Sequence, residues 1–258
     1  MGPVGGEVVG TDESAITIYP CGTGCPSGYY ASATNNSLSC GESYGNKSTT
    51  CNTIEGSSLI ACGTGCPSGY YARATGNSLS CGASYGNTST TCNIIEGSSL
   101  IACGTGCPGG YYARATGTSS SCGASYGNKS TTCNIIEGSS LIACGTGCPS
   151  GYYARATGTS SSCGASYGNT STTCNTIEGS SLIACGTGCP SGYYARATGS
   201  NSSCGTSYGN TSTTCNTIEG SSINVCGTRC PSGYYARSTG TSSSCGASYG
   251  NTFTNCQK

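Results

Sequence analysis

Apolar residues in this chain come in short bursts separated by Gly, Ser, Thr and Asn, and nowhere do they recur at the three-and-four spacing of an amphipathic helix. Gly and Pro break every stretch before helical turns could accumulate, so helix is excluded and the bursts read as strands. Two hairpins are expected in each copy of the pattern. One sets Gly-Tyr-Tyr-Ala-Arg-Ala-Thr against Ser-Cys-Gly-Ala-Ser-Tyr around a Thr-Gly-x-Ser turn, and the other sets Ser-Thr-Thr-Cys-Asn-Thr-Ile against Ser-Leu-Ile-Ala-Cys-Gly around Glu-Gly-Ser-Ser. The second carries β-branched or alternating positions on both arms, as at Thr50, Ile54, Leu59 and Ile60. Pro26, Pro67, Pro108, Pro149, Pro190 and Pro231 each precede the Gly-Tyr-Tyr segment, where a fixed φ stiffens the entering turn.

The pattern is strictly periodic. Cysteines stand at Cys21, Cys25, Cys40 and Cys51, then at Cys62, Cys66, Cys81 and Cys92, then at Cys103, Cys107, Cys122 and Cys133. They continue at Cys144, Cys148, Cys163 and Cys174, at Cys185, Cys189, Cys204 and Cys215, and at Cys226, Cys230, Cys245 and Cys256. Each unit is C-x3-C-x14-C-x10-C, and the step from Cys21 to Cys62 is 41 residues. The units are 21–61, 62–102, 103–143, 144–184, 185–225 and a shorter sixth at 226–258, preceded by an extended segment over 1–20. The fold class expected is all-β and disulfide-rich, a linear array of six small modules, each with about two hairpins and two disulfides. Ser32 replaces the Arg of Arg73, Arg114, Arg155, Arg196 and Arg237, and the chain ends on Asn-Thr-Phe-Thr-Asn-Cys-Gln-Lys; both departures suit end units facing something other than a neighbour, and drift at the ends of a duplicated gene accounts for them equally.

Composition explains why so many cysteines are present. Leu, Ile, Val and Phe together number 25 of 258 residues, too few for burial alone to offset the entropy of ordering the chain. The 24 cysteines supply the cross-links that a thin core lacks, and their number implies an oxidising compartment. Nineteen Tyr against one Phe and no Trp fit thin modules whose rings pack while their hydroxyls stay wet. In the pairs Tyr29–Tyr30, Tyr70–Tyr71, Tyr111–Tyr112, Tyr152–Tyr153, Tyr193–Tyr194 and Tyr234–Tyr235, one ring of each pair should face each side of a strand.

Four cysteines per unit allow three pairings. We favour first with third and second with fourth, that is 21 with 40 and 25 with 51, since this satisfies every thiol within its own unit. The rival frame joins 51 with 62 and leaves Cys21 and Cys256 to cross-link successive molecules. Structural zinc is disfavoured by the absence of His and by the gaps of ten and fourteen residues.

Sequons at Asn46, Asn87, Asn128, Asn169 and Asn210, with others at Asn35 and Asn201, make a regular series of N-glycans reasonable; Gly-Asn is equally a turn signal. Nine basic and nine acidic residues give no field to attract nucleic acid or anionic lipid. Catalysis has no support: there is no His, no cluster of carboxylates and no nucleophile elbow, and no cofactor or metal site is expected. No segment is long and apolar enough to cross a bilayer, no apolar tail follows Cys256, and residues 1–20 do not read as a signal peptide.

Cys-Pro-Ser-Gly-Tyr-Tyr within this cysteine period resembles the cysteine-rich modules of extracellular receptors and of protist surface antigens, the ciliate immobilisation-type antigens in particular. The resemblance spans Cys21 to Cys256 and implies a secreted or surface-coat protein bearing glycans. Two roles are open: a structural subunit of an extracellular filament, fibril or coat, or a repetitive adhesin stalk that binds a glycan or host surface through avidity. The expected partner is a second copy, joined head to tail, with Glu7–Val9 and Ala15–Tyr19 as candidate strands for an exposed neighbouring edge.

Overall fold

The computed structural model describes residues 15–258. Alternation along the Thr-rich segments sets the sheets. The strand Thr88–Ile94 places Thr90 and Cys92 on one face, both fully buried, and Ser89, Thr91 and Asn93 on the other. It is the central strand of a three-stranded antiparallel sheet, flanked by Ser58–Cys62 as lead strand and by Tyr70–Asn77 as long strand. The register pairs Leu59 and Ala72 with Cys92, and Ala61 and Thr75 with Thr90. Among the described residues the same sheet occurs six times in tandem, with central strands at Lys47–Thr53, Thr88–Ile94, Lys129–Ile135, Thr170–Thr176, Thr211–Thr217 and Thr252–Gln257. The all-β, disulfide-rich reading therefore holds.

Each long strand carries a bulge. In the second sheet it falls between Ala72 and Ala74, so Arg73 has no partner in the ladder and stays exposed. Ser32 occupies this place in the first sheet, and its hydroxyl turns back to donate to the Thr50 carbonyl at 3.3 Å.

Neither expected hairpin forms as written. The Ser-Cys-Gly-Ala-Ser-Tyr segment is a pair of short 3-10 turns, Leu79–Cys81 and Ala83–Tyr85, separated by Gly82 at φ 64°, ψ 169°. That backbone cannot lie in a ladder. The Gly86–Asn87 step that follows is left-handed at both residues, φ 64° and 51°, and returns the chain to the central strand. The second hairpin fails because no edge is free. Lys47–Thr53 already pairs with Thr17–Ile18 on one side and Tyr29–Asn36 on the other. Ser58–Cys62 therefore pairs forward with Thr88–Ile94, and Glu55 to Ser57 form a crossover between sheets.

The same logic revises the N-terminal segment. Of the expected strand Ala15–Tyr19, Thr17–Ile18 is extended and pairs within its own chain, Thr17 with Asn52 and Ile18 with Cys51. It serves as the first sheet's lead strand and is not free for a neighbour. Glu7–Val9 lies outside the described residues.

The first cysteine of a set bonds the third and the second bonds the fourth. Cys62–Cys81 and Cys66–Cys92 show the arrangement in the second sheet, and Cys185–Cys204 with Cys189–Cys215 in the fifth. No cysteine is free, Cys103 and Cys122 being disulfide-bonded as well. The rival frame is thereby overturned: Cys21 is bonded to Cys40 and Cys256 to Cys230, leaving no thiol at either end for a covalent link between chains. At sequence separations of 19 and 26, each bond restricts the unfolded chain by about 3 kcal/mol.

The core is correspondingly small. Leu59, Ala61 and Cys92 form its centre in the second sheet, with Tyr70 and Cys66 packed against them. Beside it the buried Thr90 hydroxyl donates to the Gly63 carbonyl at 2.6 Å. The chain falls into two compact units, one ending at Ile95 and including 119–128, the other formed by 96–118 with 129–258.

Candidate functional site

The Tyr pair is what links one sheet to the next. Tyr70 stays with its own core, and its hydroxyl donates to the Gly56 carbonyl of the crossover. In the first unit, Tyr30 faces the other way and packs, with Ile54, on the Leu59, Ala61 and Cys92 core of the following sheet. In the second unit, Tyr112 and Ile136 meet Leu141, Ala143 and Cys174 in the same way, as do Tyr153 with Ile177 and Tyr194 with Ile218 one and two sheets on. The expectation of one ring to each side is met, and the outward ring is committed to a neighbouring module.

Two hydrogen bonds complete this joint. Thr34 Oγ1 donates to the Cys81 carbonyl at 2.7 Å, and the Tyr85 hydroxyl donates back to the Thr23 carbonyl. The approach is close enough to demand glycine: a Cβ on Gly82 would sit 2.4 Å from Thr34 Oγ1. Thr75 to Cys122 and Tyr126 to Thr64 repeat the two bonds within the first unit. In the second unit Thr116, Thr157 and Thr198 donate to the carbonyls of Cys163, Cys204 and Cys245, while Tyr167, Tyr208 and Tyr249 reach Thr105, Thr146 and Thr187. Where a Lys opens the central strand it adds a third bond, Lys47 Nζ to Ser84 Oγ at 2.7 Å and Lys129 Nζ to Ser166 Oγ at 2.9 Å.

Burial in these joints pushes the hydroxyls of Tyr85, Tyr126, Tyr167, Tyr208 and Tyr249 above the usual phenol range, because the phenolate would lose water without gaining a cation. Reading the sequence did not single out this Tyr or the Thr of Ala-Thr-Gly. Their recurrence at one phase, with Gly always following the third cysteine, was the available signal.

The sequon asparagines sit in the left-handed turn before each central strand. Asn46, Asn87, Asn128, Asn169 and Asn210 have φ between 49° and 51°, and all but the partly buried Asn46 are exposed. Asn251 adopts φ 51° although Phe253 removes its sequon, so the turn accounts for Asn there without a glycan. Asn35 lies exposed near the end of a long strand, and Asn201 Oδ1 accepts from the Ser203 amide at 3.0 Å. Among the described residues no three His, Cys, Asp or Glu side chains gather as a metal site, and no helix is long and apolar enough to cross a membrane. Compared with protein-family models, curated proteins and solved structures, the chain matches none.

Proposed function

We propose that this chain is a structural subunit of an extracellular filament, fibril or surface coat, assembled head to tail and bearing N-linked glycans. The observation that carries the reading is the recurrence of a single joint, a Tyr ring on the next core with reciprocal Thr and Tyr hydrogen bonds, within both compact units. A surface that already binds its own kind repeatedly inside the chain is the natural surface for binding another copy. The disulfide density suits an oxidising, extracellular setting. The exposed left-handed turns at Asn87, Asn128, Asn169 and Asn210 leave their amides accessible to a glycosyltransferase.

Electron microscopy of the natively isolated protein tests this reading, together with denaturing electrophoresis without reductant. Filaments that fall apart in denaturant to single chains are expected, because every disulfide is internal. Dispersed particles at all concentrations would contradict it and would favour the repetitive adhesin stalk. A ladder of covalent multimers would contradict the assigned disulfides. Peptide-N-glycosidase treatment of protein from a eukaryotic source is expected to lower the apparent mass in several steps; an unchanged mass removes the glycans.

A further inference from the structure

Among the described residues, the first and last modules each present an unfilled half of the internal joint. At the N-terminal face Tyr44 stands where Tyr85 stands one repeat later; it is 56% exposed, and Cys21, whose counterparts Cys62, Cys144 and Cys185 are buried, is exposed beside it. At the C-terminal face Tyr235 occupies the place of Tyr30 and is 58% exposed, with Thr239, the counterpart of Thr34, exposed as well. Tyr44 and Thr239 are the counterparts of the joint's two donors, and among the described residues their hydroxyls meet no acceptor, while the Tyr235 hydroxyl reaches only Gln257 Oε1 of its own module, at 3.4 Å. A polar cap would have replaced them.

Two further departures occur at the ends and nowhere else. Glu42 in the first module stands where later copies have Ala83, Ala124, Ala165, Thr206 and Ala247. Arg229 in the last stands where earlier copies have Gly24, Gly65, Gly106, Gly147 and Gly188. Inside the chain both positions flank one hydrogen bond of the joint: Tyr85, two residues after Ala83, donates to the carbonyl of Thr23, which directly precedes Gly24, and a Cβ at Gly24 would have open space around it. The first and last modules thus carry opposite charges on the two sides of the joint's Tyr-to-carbonyl bond, and both side chains are exposed in the single chain.

We propose that the C-terminal face of one molecule receives the N-terminal face of a second copy in the geometry of the internal joint. Tyr235 then lies on the Ile18 and Cys51 face, Thr239 donates to the Cys40 carbonyl, Tyr44 donates to the Thr228 carbonyl, and Glu42 pairs with Arg229 to select end-to-end contact. The interface is heterologous, so it extends into an open series and does not close as a dimer. The charge pair is exposed and contributes more to register and selectivity than to affinity. This deepens the structural-subunit reading and rests on it.

Sedimentation of the full oxidised chain, with end variants compared against wild type, tests the joint. Tyr44→Asp and Tyr235→Asp alter exposed side chains, and each variant is first checked for intact disulfides by mass. Each alone is expected to stay monomeric, whereas an equimolar mixture gives a dimer and nothing larger, because one intact face of each kind remains. E42R or R229E alone should weaken association about tenfold, and the double swap E42R/R229E should restore it. Long assemblies in both Tyr variants, a mixture that stays monomeric, or a double swap no better than the single reversals would overturn the joint. In the first case the filament reading survives on another surface. A wild-type chain that never associates overturns both.

Discussion

Six threonines, Thr49, Thr90, Thr131, Thr172, Thr213 and Thr254, are fully buried, and they do what larger residues do in ordinary cores. Each fills space with its methyl and uses its hydroxyl on a turn carbonyl, as Thr131 does on Gly104 at 2.7 Å. Thr131→Val keeps the shape and strands that carbonyl, so the third module is expected to lose about 1–3 kcal/mol of local stability, measured as faster amide exchange along Lys129–Ile135. The left-handed asparagines make a second demand at this scale. Asn169→Gly should be tolerated, whereas Asn169→Val should cost about 1–2 kcal/mol because a β-branched side chain clashes at positive φ; denaturant unfolding of the two variants separates them.

The joint tyrosines give the chain an alkaline limit. Unfolded tyrosines ionise near pH ~10, and burial raises the folded-state values of Tyr85, Tyr126, Tyr167, Tyr208 and Tyr249 above that. Their contribution is therefore fully present below about pH 10 and is lost as pH rises through the folded-state values. Ultraviolet titration should show a late-ionising component that shrinks in Tyr167→Phe. A titration without that component would contradict the burial of these rings.

At the scale of elements, disulfides substitute for hydrophobic area. Removing Cys148–Cys174 by paired Ala substitution should cost about 3 kcal/mol and loosen the fourth sheet, whose Leu141, Ala143 and Cys174 core it staples. Exposure orders their reactivity. Cys21 is exposed whereas Cys62, Cys144 and Cys185 are buried under neighbouring modules, so limited reduction followed by thiol labelling should open Cys21–Cys40 before Cys62–Cys81, Cys144–Cys163 or Cys185–Cys204. Labelling that begins at an interior pair would contradict the end's exposure.

Element identity was legible in the sequence where local chemistry decides it and illegible where pairing does. The Tyr-Tyr and Ser-Thr-Thr-Cys strands follow from alternation and β-branching, and the Gly-Asn turn from the need for positive φ. What periodicity could not reveal is which edge each strand meets. Ser58–Cys62 looks like the return arm of the preceding strand, yet the short Thr17–Ile18 already occupies that edge, and the whole ladder moves forward by one module. The Ser-Cys-Gly-Ala-Ser-Tyr segment misleads for a related reason: its alternation imitates a strand, but Gly82 turns the backbone so that Thr34 can reach the Cys81 carbonyl from the neighbouring module. The joint lay outside single-strand reasoning because its partners are 47 and 62 residues apart in sequence.

At the scale of the molecule, the period returns the same Tyr, Thr and Tyr of the joint in every module. Within each compact unit a ring from one module completes the core of the next, as Tyr30 does for Leu59, Ala61 and Cys92 and Tyr112 for Leu141, Ala143 and Cys174. The proposed polymer needs only one interface, with the geometry of the internal joint. In that proposal Glu42 and Arg229 set the contact between molecules apart from the joints inside the chain, where the same places hold small residues.

The most direct test is equilibrium sedimentation of the oxidised wild-type chain over a wide concentration range at neutral pH. The average mass is expected to climb from the 25.3 kDa of one chain without levelling, as an open head-to-tail series requires. A mass that stays at one chain, or stops at two, would contradict it.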